Sequence, residues 1–188
     1  MLYLVRHGRT AANASGLLQG RLDPPLDEIG RKQAVAIANL VGPVDTVIAS
    51  SLVRAQETAE CFGLPVATDD RWIELAYGEY EGVPAAKVPD EVWHRWRTDG
   101  AFATDGGECF DALDSRVRAA CEELTDRIAS EDVVVVSHVS PIKAAVAWAL
   151  DASVEIMFHC HLSHASVCRV GIGKFGPILH TFNEQAAP

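Results

Sequence analysis

Val133-Val134-Val135-Val136 is an unbroken β-branched run. Successive side chains of a strand point to opposite faces, so such a run is buried on both, as in a parallel sheet covered by helices. The segments around it agree. Phe110, Leu113, Val117, Cys121, Leu124 and Ile128 precede it at steps of three and four, the apolar stripe of a long helix. After it, Ser140 and Pro141 form an N-cap and first-turn pair for a helix through Ile142, Val146 and Ala149 to Leu150. The same order recurs upstream. Leu2 to Val5 is a short apolar run followed by a loop and a helix from Asp27 to Val41, with Ile29, Ala34, Ile37, Ala38 and Val41 at helical spacing before Gly42-Pro43. Thr46 to Ala49 reads as a strand, and Ser51 stands where an N-cap starts a helix from Leu52 to Phe62, ended by Gly63 and Pro65. Ser166 to Ile172 and Ile178 to Phe182 flank Gly173-Lys174-Phe175-Gly176 as a closing hairpin. The alternation predicts an α/β fold with a mostly parallel sheet.

Nothing repeats at a fixed period and no linker divides the chain, so residues 1–188 read as a single domain. The stretch from about 77 to 107, rich in Gly, Pro and aromatics, breaks the alternation and reads as an inserted cap. Its Trp93, Trp96 and Phe102 are either cap core or a face for stacking a sugar. Lys and Arg total 16 against 26 Asp and Glu, a net charge of −10 that repels polyanions and argues against nucleic acid as a partner. No apolar run approaches the roughly 20 residues needed to cross a bilayer, and no basic leader precedes Leu2, so neither membrane nor secretion is expected. The five cysteines, Cys61, Cys109, Cys121, Cys160 and Cys168, are scattered and include no Cys-x-x-Cys pair. They read as reduced thiols of a cytoplasmic protein. No surface stripe marks an interface, which leaves a homodimer open.

In open α/β sheets, ligands bind beyond the carboxyl ends of the strands. Three strands deliver a set there: Arg6-His7-Gly8 after the first, Arg54 in the helix after the second, and Ser137-His138 after the four valines. Paired guanidinium groups match phosphate oxygens and stay charged at any working pH. A neutral imidazole can attack phosphorus and split one displacement into two, while a second, protonated imidazole holds the oxygens. The set therefore points to phosphoryl chemistry. Serine hydrolysis lacks a Gly-x-Ser-x-Gly elbow, and nucleotide hydrolysis lacks a phosphate-binding Gly-Lys-Ser/Thr loop. His159, His161 and His164 with Cys160 and Cys168 match no common zinc spacing, so neither metal nor cofactor is expected. Arg9 and Arg21 are either a basic mouth to the site or a solvated face.

Leu4-Val5-Arg6-His7-Gly8-Arg9-Thr10 resembles the signature of the histidine phosphatase superfamily, the phosphoglycerate mutase-like fold. Asn13, the stretch from Gln19 to Leu26, Gly30 to Ala34, Ala49 to Ala59, Glu74 to Gly82, Gly106-Gly107-Glu108 and Val136-Ser137-His138 follow in that family's order. The resemblance implies a three-layer sandwich with helices on both faces of the sheet and a short cap over its carboxyl edge. It implies His7 as the phosphorylated nucleophile, with Arg6, Arg54 and His138 as the phosphate pocket. Asn13, Gly20 and the backbone N–H of Val139 are its further substrate contacts. Glu74, in the Glu-x-x-x-Gly-x-x-Glu-Gly stretch, is implied as proton donor to the leaving group, although the residues alone do not select it over Glu79 or Glu81. Two departures stand out. Val139-Ser140-Pro141-Ile142-Lys143 follows the second histidine, where many members have Gly-Gly and end in Ile-Arg, and Cys109 stands where Ser commonly follows Gly-Gly-Glu. The extra basic residues and longer cap of the mutases are missing. The expectation is a phosphomonoesterase acting on a small cytosolic phosphorylated metabolite of the sugar-phosphate type. The alternatives are a phosphoglycerate mutase and a binding protein that holds a phosphorylated ligand without turnover.

Overall fold

The structure is a computed structural model that describes residues 1–186. In chain order its main elements are β1 (Leu2–Arg6), α1 (Ala11–Ala14), α2 (Glu28–Val41), β2 (Thr46–Ala49), α3 (Val53–Ala59), β3 (Val66–Thr68), α4 (Asp90–Thr98), α5 (Phe110–Ile128), β4 (Val133–Ser137), α6 (Val139–Ala149), β5 (Ser166–Gly173) and β6 (Gly176–Gln185). The four valines lie in β4, buried at every position and paired in parallel with β1 on one side and β2 on the other. The sheet order is β3-β2-β4-β1-β5-β6, with β5 and β6 antiparallel at one end.

Alternation along the strands builds two cores. Val133 and Val135 pack with Leu2, Leu4 and the α5 and α6 side chains Leu113, Val117, Ile142 and Val146. Val134 and Val136 pack with Val5, Val47, Ala49 and the α2 and α3 side chains Ile37, Ala55 and Ala59. The result is a sheet between two helical layers, as the valine run requires. Register then does the positioning. Arg6 lies beside Ser137 and Ala49 beside Val136, so the residues that follow β1, β2 and β4 emerge side by side on one edge.

Local expectations fail in instructive places. The helix expected from Asp27 begins at Glu28, with Asp27 as its N-cap, Oδ1 accepting the Gly30 N–H at 2.7 Å. Ser51 does not cap α3. Leu52 occupies that position without a side-chain bond, and Ser50 Oγ instead accepts the Leu52 N–H at 3.3 Å. The helix shortens to Val53–Ala59, and Glu60–Phe62 tightens into a 3₁₀ turn. Ser140 and Pro141 sit two residues further into α6 than expected, because His138 is the N-cap, extended at φ −124°. The short strand β3, which no sequence pattern announces, pairs at the sheet edge with only its first residue half-buried.

The stretch 77–107 leaves and returns at one point, where Tyr77 bridges Gly107. It is stitched to the loop after α1 by Leu18 N–H to Val83 C=O (3.0 Å) and Gly82 N–H to Leu18 C=O (2.7 Å). Inside it Trp96 is buried, with Trp93, Tyr77 and Tyr80 edge-on around it. Arg95 covers Phe102 at 3.7 Å. Trp96 is thus core of this segment, with Trp93 and Phe102 half-buried in the packing around it. Among the described residues no helix is long and apolar enough to cross a membrane.

Candidate active site

His7 follows β1 directly, and its main chain is clamped on both sides. Its N–H donates to Ser137 C=O at 3.0 Å, and its C=O accepts from Ala165 N–H at 3.2 Å. The next residue must be glycine, since a Cβ on Gly8 would collide with the Gly30 carbonyl. The close turn lets the Gly8 carbonyl accept from His7 Nδ1 at 2.7 Å. That bond places the imidazole proton on Nδ1 and leaves Nε2 with a lone pair. Nε2 accepts from Arg54 Nε–H at 3.3 Å. Burial, then Arg54 and Arg6, push the His7 pKa well below 6.5, so the ring is neutral and nucleophilic at neutral pH.

Arg54 enters from the first turn of α3 and is almost fully buried. Its Nη1 donates to Leu22 C=O at 2.6 Å and its Nη2 to Gly20 C=O at 2.7 Å. Gly20 turns its carbonyl inward at φ +52°, and any side chain there would strike the Glu81 carboxylate. Arg6, the last residue of β1, donates from Nη1 to Leu162 C=O at 2.6 Å. Its Nε is buried without a partner among the described residues. Burial lowers the Arg6 pKa to about 10, which still leaves it charged.

His138 is fully buried behind His7, the ring centroids 5.0 Å apart. Its Nε2 lies 2.8 Å from Ser50 Oγ, and its Nδ1 is a second buried orphan. Ser50 Oγ also accepts from Leu52 N–H; where it gives its own proton to His138 Nε2, Nδ1 carries the ring proton. The residue pattern leads one to expect this imidazole protonated. Burial and the neighbouring Arg54 instead hold its pKa well below 6.5, so it offers a neutral donor. Arg6 Nε and His138 Nδ1, two buried nitrogens without partners among the described residues, are placed where ligand oxygens would satisfy them.

Glu74 lies across the same cavity, with Oε1 accepting from Leu75 N–H at 2.8 Å and Ser140 N–H at 3.2 Å. The rival carboxylates are placed elsewhere. Glu81 Oε1 accepts the N–H groups of Arg21 and Tyr77, and Glu79 is exposed. Arg6, His7, Asn13, Gly20, Arg54, Glu74 and Val139 line one cavity of about 210 Å³; His138 stands just behind it. Leu17, Leu18, Gln19 and Tyr77 complete the lining; Gln19 and Tyr77 fall in stretches that follow the family's order, while nothing in the sequence marks Leu17 or Leu18. Two larger hollows, about 530 Å³ at Asp90, Trp93, His94 and Arg97 and about 460 Å³ beside α2 and the end of β6, contain none of the convergent groups. Chemistry, not size, identifies the site.

Arg9 and Arg21 do not line it. Arg9 Nε is 2.7 Å from Asp27 Oδ2, and Arg21 Nη2 is 3.2 Å from Glu108 Oε2. Among the described residues no three His, Cys, Asp or Glu side chains are grouped to hold a metal ion. His164, whose pKa burial and then Arg6 push down to about 4, sits under the site with Nε2 unpaired, while His159 is exposed.

The family model of the histidine phosphatase superfamily (branch 1) matches residues 2–185. A bifunctional protein of Mycobacterium tuberculosis is 35% identical over 176 residues, covering 88% of this chain and 48% of that protein. The chain thus spans about half the length of that relative. Phosphoserine phosphatase 1 of Hydrogenobacter thermophilus is 36% identical over 153 residues, 76% of this chain and 72% of that protein. Among solved structures, a mycobacterial glucosyl-3-phosphoglycerate phosphatase complexed with VO3 superposes with a TM-score of 0.86 at 29% identity, covering 98% and 99% of the two chains. With the match running through nearly every described residue and the convergent histidines and arginines inside it, the chain belongs to the histidine phosphatase superfamily, branch 1.

Proposed function

We propose that the chain is a phosphomonoesterase that hydrolyses a small phosphorylated metabolite, of the sugar-phosphate type, through a phosphohistidine. The observation that carries this is the unprotonated Nε2 of His7, its ring proton committed to Gly8 through Nδ1, at a cavity lined by two guanidinium groups and the Glu74 carboxyl. Phosphoryl oxygens are held by Arg6 Nε, Arg54, His138 Nδ1 and the Val139 N–H at the start of α6. Nε2 attacks phosphorus, the ester P–O bond breaks, and the departing oxygen takes the Glu74 proton. Glu74, now a carboxylate, removes a proton from water, whose oxygen attacks phosphorus, releasing phosphate and restoring His7. The five free thiols accord with a reducing, cytoplasmic setting.

The test is phosphate release from a panel of small phosphomonoesters with a chelator present, using the parent and His7→Ala. Release by the parent that survives chelation, together with its loss in a folded His7→Ala protein, is expected. Undiminished release by His7→Ala overturns the mechanism. Isomer interconversion without phosphate release would replace the reading with a mutase, and tight phosphate-ester binding without turnover with a binding protein.

A further inference from the structure

Resting on the phosphomonoesterase reading, we infer that the alcohol half of the substrate is short and carries no anionic group, lying against Leu17, Leu18 and Tyr77. Arg6 and Arg54 are the only Lys or Arg side chains among the described residues that line the cavity. Both sit at the His7 end, where the two charges of a phosphoryl dianion use them up. The nearby cations that could serve a second anion are already engaged. Arg9 is paired with Asp27, Arg21 with Glu108, and Lys143 Nζ donates to Met157 C=O at 2.9 Å.

The remaining field is acidic. Asp23 and Glu81 both act on Arg54. A carboxylate on the alcohol would meet these charges while losing water to leucine and tyrosine carbon, and an unpaired charge in such a place is costly. What polar contact the rim offers is neutral. Asn13 and Gln19 line the cavity with neutral amides, their oxygens accepting from Thr10 N–H at 3.1 Å and the Thr10 hydroxyl at 2.9 Å. A volume of about 210 Å³, roughly seven waters' share of liquid at about 30 Å³ each, holds a phosphoryl group and a short alcohol. The rim therefore selects by lacking a third cation.

Propyl phosphate and 3-phosphooxypropanoate differ chiefly in the carboxylate, and phosphate release from each gives a matched pair of kcat/KM values. The parent is expected to favour propyl phosphate by about tenfold or more. Leu17 is half-buried at the mouth in a loop, so Leu17→Arg places a cation there with little disturbance of the core. That variant is expected to erase or reverse the preference, and Leu17→Gln, which adds polarity without charge, to keep it. Equal or better turnover of the carboxylated ester by the parent overturns the inference, as does rescue by Leu17→Gln equal to that by Leu17→Arg. An activated aryl phosphate run in parallel separates the two levels. If it is not hydrolysed either, the phosphomonoesterase reading itself fails and takes the inference with it; if it is, a preference for the carboxylated ester sinks this inference alone.

Discussion

Glu74→Gln separates the two proton transfers assigned to one carboxyl. Two main-chain N–H groups, from Leu75 and Ser140, hold Oε1 as an acceptor, so the transferable proton must sit on Oε2. A glutamine keeps a carbonyl oxygen for the same two donors and matches the volume, which leaves the fold and the phosphate pocket in place. It cannot deliver a proton. Loss of a positioned general acid costs about 10²- to 10⁴-fold, or roughly 3 to 5 kcal/mol of barrier at 1.36 kcal/mol per tenfold. That cost falls on alkyl esters, whose alkoxide leaves poorly. An aryl ester whose phenol is already acidic needs little help, and its kcat/KM, which reports steps through the first P–O cleavage, is expected to fall by less than about tenfold.

The second half-reaction gives an independent readout. With no carboxylate to take a proton from water, phosphohistidine hydrolysis slows for every substrate, so kcat falls even where kcat/KM survives. Rapid mixing of Glu74→Gln with an aryl phosphate is expected to release a burst of phenol equal to the enzyme present, then turn over slowly. Equal loss of kcat/KM for alkyl and aryl esters, with no burst, would remove the acid–base role from Glu74.

Cys109→Ser is expected to stabilise the protein by about 1 kcal/mol, since Cys109 is the N-cap of α5 and makes no side-chain capping bond, whereas a serine hydroxyl can accept the Ala112 N–H. For a chain of this size that is a rise in Tm of about 2 to 4 °C, and an unchanged Tm by calorimetry would contradict it. Burial holds the imidazoles of His7 and His138, and partial burial that of His164, below the ordinary 6.5, so the unfolded chain takes up more protons than the folded one as pH falls. Their contribution to stability is complete above about pH 6.5 and is lost on acidification, the share of His164 between about 6.5 and about 4. Urea midpoints are expected to drop from pH 7.5 to pH 5, less steeply in His164→Gln, and identical midpoints would refute this.

What the amino-acid pattern alone reveals divides along physical lines. The valine run announces a doubly covered strand because periodicity is local, and a parallel sheet then obliges the residues after β1 and β4 to share an edge, so His7 and His138 are legible together. Helix caps mislead where local preference meets a distant demand. Ser140 has the right chemistry for a cap, yet its N–H is spent on Glu74, 66 residues away, and His138 takes the cap position with its ring turned into the site. The strand β3 leaves no pattern because three residues at an edge bury too little to impose one. Glu74, Glu79 and Glu81 look equivalent in sequence, and main-chain contacts separate them, with Arg21 and Tyr77 claiming Glu81 and Leu75 and Ser140 claiming Glu74. The rim is less legible still, since Leu17, Leu18 and Tyr77 converge only where the loop after α1 is stitched to the stretch 77–107. Groups that act on phosphorus hang from strand ends and are fixed by the sheet, while groups that meet the alcohol hang from loops and are fixed by one another. That difference makes the reaction readable from one sequence more readily than the substrate, and it directs the search for specificity to Leu17 and its neighbours.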